Sequence, residues 1–338
     1  MQLERIAPSG YTYAAWILSG VALVLVLLLQ LLPALVAGMV VYELVHVLAP
    51  LVSTRLSDKR AKIVAVALLS VAVVGLTAGA IAGAVVFFRS DAGSLSVLLT
   101  KMAEIVAGSR GTLPDWLVNE MPENPDDMRD ATAEWFRAHA TEVQTMGKEV
   151  GRVLVHALIG MIIGALVALH ESLPIEPRGP LSVELIQRVD NLGDAFRRVV
   201  FAQVRISLLN TLFTAVYLTL VLPLFGVDLP LRKTLIAVTF LAGLLPVIGN
   251  LISNAIIVIV SLSHSFVVAL VSLAFLIVIH KLEYFLNARI IGRHVHARAW
   301  ELLLAMLVME AAFGLAGVVA APIYYAFVKD ELASQGLL

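Results

Sequence analysis

The sequence predicts an all-α polytopic membrane protein with about six full spans, two inverted re-entrant helical hairpins and a small extracytoplasmic helical unit. Of its 338 residues, 60% are hydrophobic and only 14% are charged, and the mean hydropathy is +0.93. A soluble domain of this length needs more polar surface than that. The second observation behind the prediction is a pair of long apolar stretches that are each interrupted in the middle.

The two interrupted stretches predict helical hairpins. Thr234 to Ser263 is interrupted at Leu245-Pro-Val-Ile-Gly-Asn250, and Trp300 to Val328 is interrupted at Phe313-Gly-Leu-Ala-Gly317. A helix of about 30 residues reaches roughly 45 Å, whereas the hydrocarbon core is about 30 Å thick. Each stretch is therefore long for one span and short for two. Transporters build substrate sites near the midplane from broken helices of this kind, inserted from opposite faces.

Composition and motifs restrict the function. The net charge of −1 gives no global attraction to nucleic acid, and the absence of cysteine excludes disulfides and thiolate metal sites. The sequence has no Walker-type loop, so ATP hydrolysis by this chain is not expected. We predict no catalytic constellation, no metal site and no cofactor, and we expect that the protein is not an enzyme. The N-terminus has no clear signal peptide, so the first apolar segment is expected to be retained.

Residues 1–89 are predicted to form the first three spans, a scaffold or oligomerisation part. Tyr13 to Val52 is apolar over about 40 residues, twice the length of one span, so two spans with a turn near Gln30 to Pro33 are expected. The third span covers Ile63 to Phe88, and Glu43 on the second is expected to make a packing or oligomer contact. Three glycines of the third span have a spacing that lets another helix approach closely, although ordinary membrane composition explains them equally well. They are Gly75, Gly79 and Gly83.

Residues 90–150 are predicted to be the small extracytoplasmic helical unit, because they are polar and rich in Asp and Glu. Asn124-Pro125-Asp126-Asp127 is typical of a helix start. Asn caps the helix, Pro suits its first turn, and acidic side chains favour its positive end. The unit is too short and too poor in apolar residues to be a separate enzyme.

Residues 151–205 are predicted to hold the fourth span, Val153 to Leu169, and a cytoplasmic amphipathic helix. That helix presents Val183 and Val189 on one face and Arg188 on the other. It is expected either to lie in the membrane interface or to connect the spans as a solvated element.

Residues 206–338 are predicted to be the transport part. They hold a fifth span, Ile206 to Phe225, hairpins at about 232–264 and 299–330, and a complete span, Phe266 to Leu286. The Arg-rich loop that follows this span falls in the cytoplasm, as the positive-inside rule requires, only if the first interrupted stretch is a hairpin. The same rule places both termini in the cytoplasm, so the two hairpins open to opposite sides.

Polar and ionisable residues at membrane depth are costly there and are therefore the candidate functional residues. Glu310 lies about ten residues, roughly 15 Å, into the second hairpin. It is predicted to serve an ion, proton or substrate, unless it pairs with a buried arginine such as Arg205. Asn250 and Asn254 at the first tip either bind a polar solute or cap the tip. The predicted substrate or ion path is lined by Pro246, Gly249, Asn250, Asn254, Glu283, Asn287, Glu310, Gly314 and Gly317.

A polar stripe on the span after the first hairpin contributes two of these residues. His280, Glu283, Tyr284 and Asn287 are spaced at i, i+3, i+4 and i+7, which places them on one helix face. Glu283 is interpreted either as a structural clamp or, beside a histidine, as a group that passes protons.

A series of motifs in the second half occurs in a characteristic order. They are Phe196 to Gln203, Leu224-Phe-Gly226-Val, Leu245-Pro-Val-Ile-Gly249, His280 to Gly292 and Phe313 to Pro322. In these motifs the chain resembles the AI-2E (autoinducer-2 exporter) family of bacterial inner-membrane proteins, and the resemblance extends over essentially the whole length. Two positions depart from the family pattern: Asn250 stands where Pro is usual, and His280 where Gln is usual.

The resemblance implies a secondary transporter in the bacterial inner (cytoplasmic) membrane. Members of the family are described as exporters of the signal autoinducer-2, and some as sodium(lithium)/proton antiporters. The resemblance also implies a homo-oligomer, a pentamer, with elevator-like movement of the part that carries the hairpins.

We therefore expect a secondary transporter that exports a small polar organic solute of the autoinducer-2 type. A sodium(lithium)/proton antiporter is the alternative, and a non-transporting membrane scaffold is the alternative of another class. The hairpins favour a transporter, because a scaffold has no need of two opposed tips with buried polar residues. The expected partners are the lipid bilayer, a small-molecule or cation substrate and further copies of the chain.

Overall fold

The computed structural model describes residues 9–53, 59–90, 95–109, 111, 113–114, 140–171, 178–245, 248–290 and 299–336. The regular elements in these ranges are helices, as the sequence predicts. They are α1 (Gly10–Leu28), α2 (Leu32–Ser53), α3 (Lys59–Arg89), α4 (Leu95–Gly108), α5 (Ala140–Glu171), α6 (Pro180–Val216), α7 (Arg232–Gly243), α8 (Ile248–Ser261), α9 (Phe266–Ile290) and α10 (Ala299–Ser334).

Six helices within the described ranges are long and apolar enough to cross a membrane. Their length and composition support a multi-pass membrane protein, since a span needs about 20 apolar residues. The last of the six, Trp300–Ser334, contains a chain reversal that is described below, so its length overstates the distance it covers. The predicted helix start at residues 124–127 lies outside the described residues.

The turn between α1 and α2 confirms that the first long apolar stretch is two helices. Gln30 has a φ of 56°, in the left-handed region that no helix interior adopts. Its side chain accepts a hydrogen bond from Arg152 Nη1 on α5 at 2.8 Å. Ser9 caps the start of α1, where its hydroxyl oxygen accepts a hydrogen bond from the backbone N–H of Thr12.

The amphipathic helix and the fifth span, predicted as separate elements, form one continuous helix. α6 runs from Pro180 to Val216 and continues through a π-helical turn, Tyr217–Val221, and one further turn, Leu222–Leu224. A break was expected near Arg205, but the sequence there has no Pro or Gly to end a helix. The π turn precedes Pro223, whose missing N–H disturbs the regular hydrogen-bond ladder.

The chain forms two compact units. The first comprises Met1–Ile81, Lys148–Phe201 and Val295–Leu338, and the second comprises Ala82–Gly147 and Ala202–His294. The second hairpin is thus grouped with the first spans, and the first hairpin belongs to the second unit. The predicted division into parts at residues 89, 150 and 205 rests on the sequence and stays a prediction.

Close helix packing in the first unit uses small residues on α2 and α5. A Cβ on Gly160 would stand 2.0 Å from the carbonyl oxygen of Ala34, and a Cβ on Gly164 would stand 2.0 Å from that of Gly38. These pairs are small residues four positions apart, the spacing that lets membrane helices approach closely.

The glycines of α3 behave differently. Nothing lies within 4 Å of the Cβ position of Gly75, Gly79 or Gly83. Instead α3 packs through Val66 and Val73, because branched side chains bury more apolar area than glycine does. Within this chain, ordinary membrane composition is therefore the interpretation that fits the three glycines.

The core of the second unit lies among α4, the end of α6, the first hairpin and α9. The Tyr217 ring stacks on Phe275, with 3.9 Å between ring centroids. Its hydroxyl group pairs with Ser272 Oγ at 2.9 Å, and Ser272 pairs with Ser261 Oγ at 2.8 Å. This short hydrogen-bonded chain ties α6, α8 and α9 together in an otherwise apolar core.

Candidate functional site

The first interrupted stretch folds as a helical hairpin. α7 and α8 are separate helices that pack against each other. A Cβ on Gly249 would stand 1.7 Å from the carbonyl oxygen of Ala242, so a side chain there would collide with the backbone of the other arm. The two arms therefore approach each other closely at Gly249, and its place on the substrate path stays a prediction. Pro246 lies outside the described residues.

The second interrupted stretch, α10, also reverses direction, because non-helical dihedral angles at Gly314 divide it into two helical arms. Gly314 has φ 60° and ψ −143°, a conformation that favours glycine. Glu301 accepts hydrogen bonds from the Tyr325 hydroxyl and from Lys329 Nζ. In a straight helix, residues 301 and 325 would be roughly 36 Å apart. The arms therefore fold back on each other at Gly314.

Gly317 lets the two arms of this second hairpin meet near the tip. Its Cβ position lies 1.9 Å from the carbonyl oxygen of Met309, which leaves no room for a side chain. Met306 on the first arm packs with Val318 and Ala321 on the second. The turn at Gly314 and the close approach at Gly317 thus both depend on glycine, and the place of the two residues on the substrate path stays a prediction.

Glu310 is exposed on the first arm of the second hairpin. No hydrogen bond or ion pair joins Glu310 to the rest of the described chain. Arg205, the partner considered for it, is exposed rather than buried. The exposed carboxylate needs water, an ion or another molecule, and its predicted role stays a prediction.

Polar side chains on one face of α6 meet the first hairpin. Gln203, Ser207, Asn210 and Thr214 are spaced at i, i+4, i+7 and i+11, which places them on one helix face. Gln203 Nε2 donates to the carbonyl oxygen of Gly243 at 2.6 Å, and Ser207 Oγ donates to that of Phe240 at 2.6 Å. These two bonds satisfy carbonyls at the end of α7, where a helix leaves them without internal partners.

The two asparagines at the first tip make bonds between helices. Asn210 Nδ2 donates to Asn250 Oδ1 at 3.2 Å. The side-chain amide of Asn254 lies within hydrogen-bond distance of His280 Nε2, at 2.8 Å from Nδ2 and 3.1 Å from Oδ1. Gln203, rather than either asparagine, caps the end of α7. Asn250 bonds to α6 and Asn254 bonds to α9. His280, which the sequence placed on a polar stripe, therefore contacts the hairpin.

Three buried oxygen atoms on α6 lack a hydrogen-bond partner within the described residues. They are Asn210 Oδ1, Thr211 Oγ1 and Thr214 Oγ1. Other buried hydroxyl groups in the second unit donate to the carbonyl one turn earlier, as Thr239 does to Leu235 at 2.8 Å. A buried polar group left unpaired costs about 1–3 kcal/mol. Within the described residues, these oxygens thus lack the partner that a buried polar atom ordinarily has.

The described residues bring only part of the predicted path together. Gly249, Asn250 and Asn254 belong to the second unit, whereas Glu310 belongs to the first. Glu283 and Asn287 lie on α9, but their side chains fall outside the described part, so the clamp and proton-passing roles stay predictions. The path between two tips likewise stays a prediction.

Most of the polar face of α6 was not predicted from the sequence. Gln203 falls within one of the family motifs, but Ser207, Asn210 and Thr214 were not among the predicted site residues. The signal was present, because these residues follow the helical period within a span that is otherwise apolar. Within the described chain, no group of three or more His, Asp and Glu side chains is arranged to hold a metal ion.

The long apolar helices of the described chain define a polytopic helical membrane protein. The family model described as AI-2E family transporter matches residues 12–334, so the chain belongs to the AI-2E transporter family. This confirms the resemblance inferred from the motifs. The family consists of transporters rather than enzymes. No curated protein and no solved structure matches the chain.

Proposed function

We propose that this protein is a secondary transporter whose solute path passes along the polar face of α6, beside the tip of the first hairpin. The observation that supports it is the set of buried oxygens of Asn210, Thr211 and Thr214, which have no hydrogen-bond partner among the described residues. The cost of unpaired polar groups disfavours such an arrangement in a purely structural core. A transient solute that hydrogen-bonds to these atoms removes that cost while it is bound.

The chemistry of this face favours a small polar organic solute of the autoinducer-2 type. Asn210, Asn250 and Asn254 offer amide groups, and Thr211 and Thr214 offer hydroxyl groups. These groups are neutral, and they donate and accept hydrogen bonds. An uncharged or weakly charged solute with hydroxyl or carbonyl groups suits them. We take export as the direction from the family resemblance.

A sodium(lithium)/proton antiporter is the second candidate. Hydroxyl and amide oxygens are the ligands that small hard cations prefer, and the unpaired oxygens of α6 are of this kind. Glu310 is the further acidic group that this alternative requires. A non-transporting scaffold is disfavoured, because it gives no reason for unpaired polar atoms beside a broken helix.

The wider proposal includes several properties that the family and the sequence support. Both hairpins are re-entrant in the membrane and inverted with respect to each other, and the path includes the second tip at Glu310, Gly314 and Gly317. The protein is a homo-oligomer of the bacterial inner membrane, with cytoplasmic termini and an elevator-like movement. Each of these properties is part of the proposal and can be tested by experiment.

Flux into sealed vesicles that contain the purified protein tests the proposal. Movement of autoinducer-2 above that of empty vesicles supports the exporter. Movement of Na⁺ or Li⁺ only when a proton gradient is imposed supports the antiporter instead. Absence of both fluxes, from protein that remains folded and assembled, leaves the scaffold as the function.

A further inference from the structure

A buried carboxyl group lies where α2 meets α6 in the first unit. Glu43 is 3% exposed. It sits near the middle of α2, roughly 15 Å along the helix from either end. Gly193 on α6 makes the space for it, because a Cβ on Gly193 would stand 3.1 Å from Glu43 Oε1. The carboxyl group is thus fitted closely into a helix contact rather than directed to the surface.

The group is poorly supplied with hydrogen-bond donors. Glu43 Oε2 is buried and lacks a hydrogen-bond partner among the described residues. The nearest cation, Arg197, places Nη1 3.8 Å from this oxygen, which is too far for a hydrogen bond. Arg197 instead donates from Nη2 to Asp194 Oδ1 at 2.6 Å. The guanidinium group is therefore bonded mainly to the exposed carboxylate.

The other charged groups around Glu43 do not compensate for the missing hydrogen-bond donor. His46 faces it from α2, Glu171 from α5, and Asp194 and Arg197 from α6. Glu171 is already bonded, because the Tyr42 hydroxyl group donates to it at 2.8 Å. The carboxyl groups of Glu43, Glu171 and Asp194 thus lie near only one guanidinium group and one histidine. A negative charge on Glu43 is therefore unfavourable.

We propose that Glu43 is a proton-binding site, protonated in the conformation described here. A neutral carboxylic acid at this position avoids the cost of an unpaired buried charge. The proton is exchanged with water on the side of Glu43 where Arg197 and Asp194 lie, because the side chains of this pair are 42% and 52% exposed. Uptake converts the carboxylate to the acid, and release reverses that step.

This inference goes beyond the proposed function. It assigns an ionisable site in the first unit, whereas the polar face of α6 that contacts the first hairpin belongs to the second. From the sequence alone, only a packing or oligomer contact was predicted at Glu43. The site is defined without reference to any solute, so it can stand even if the solute path is elsewhere.

Infrared spectroscopy of the purified full-length protein at neutral pH tests the proposal. The wild type is expected to show the C=O stretching band of a buried, protonated carboxylic acid. Glu43→Gln is expected to lose this band. Glu149→Gln is the matched control, because Glu149 is 54% exposed, and it is expected to keep the band. An identical spectrum in the wild type and Glu43→Gln would overturn the proposal.

Stability of two further variants separates a proton site from a fixed ion pair. If Glu43 is neutral, Arg197→Gln should leave the melting temperature within about 2 °C of the wild type. Arg188→Gln should lower it by more, because Arg188 is 2% exposed and lies against Glu331 and Glu184. A comparably large loss in Arg197→Gln would contradict the proposal. So would failure of Glu43→Gln to fold, since Gln has the shape of a protonated Glu.

Discussion

Thr214 and Thr239 are both buried threonines in helices, yet their hydroxyl groups have different surroundings. Thr239 donates to the carbonyl oxygen one turn earlier, which removes the cost of its burial. Thr214 is 0% exposed, and its hydroxyl group is unpaired within the described chain. The difference separates a hydroxyl group that is bonded within its own helix from one that has no partner among the described residues.

Two helix glycines also differ in the space around their Cβ positions. Gly160 on α5 lies against the backbone of α2, whereas Gly79 on α3 has open space around its Cβ position. Gly160→Ala is expected to force α2 and α5 apart at a cost of about 1–3 kcal/mol and to lower the melting temperature. Gly79→Ala is expected to leave the stability of the isolated chain unchanged or slightly raised.

Thermal unfolding of both glycine variants in mild detergent measures this difference. Equal melting temperatures for Gly160→Ala and the wild type would show that α2 and α5 are not in close contact. A large loss for Gly79→Ala would show instead that the α3 glycines pack against another copy.

At the scale of elements, the breaks in the hairpins were predictable and the polar partners were not. Gly314 and Gly317 interrupt an apolar stretch, and glycine at a helix break is a local signal. The bond from Gln203 to Gly243 joins positions 40 residues apart, so no local pattern reveals it. The continuity of α6 was missed because a change from amphipathic to apolar composition was taken as a boundary.

The reversal at Gly314 can be tested by cross-linking, since the chain has no native cysteine. A Met306→Cys/Ala321→Cys pair should form a cross-link, because these positions pack against each other in the hairpin. In a straight helix they would be roughly 22 Å apart. The control pair is Leu68→Cys/Gly83→Cys, which has the same spacing along the single helix α3 and should not react.

Gel mobility after treatment with a short bifunctional maleimide reports both pairs. Cross-linking of the α3 pair at the same rate would show that the reaction occurs between molecules. Absence of a product from the 306/321 pair, with both cysteines reactive, would favour an uninterrupted final span.

For the whole molecule, the apolar composition is enough to predict a membrane protein. Its orientation in the membrane depends on whether each interrupted stretch crosses the membrane or returns to the side from which it entered. If the first interrupted stretch were a single span, the Arg-rich loop after α9 would be placed outside. Single cysteines at Ser94 and His294 are expected to lie on opposite sides, with position 94 outside. Both positions fall outside the described residues, and labelling reports the side of the membrane on which each lies.

An impermeant maleimide applied to intact cells checks this topology. We expect labelling at position 94 and none at position 294 until the membrane is opened. Labelling at 294 but not at 94 would invert the orientation and remove the support for two opposed hairpins.

The central claim, that solute passes along the polar face of α6, is tested most directly by the flux of two threonine variants in vesicles. Thr214→Val keeps the shape of the side chain but removes a hydroxyl group that has no partner among the described residues. We predict a flux that is lowered about tenfold, as expected for the loss of one hydrogen bond to the solute. Thr239→Val is the matched control, because its hydroxyl group is bonded within its own helix, and its flux should equal that of the wild type. Equal flux in Thr214→Val and Thr239→Val, with both proteins folded and assembled, would contradict the account and move the path away from α6.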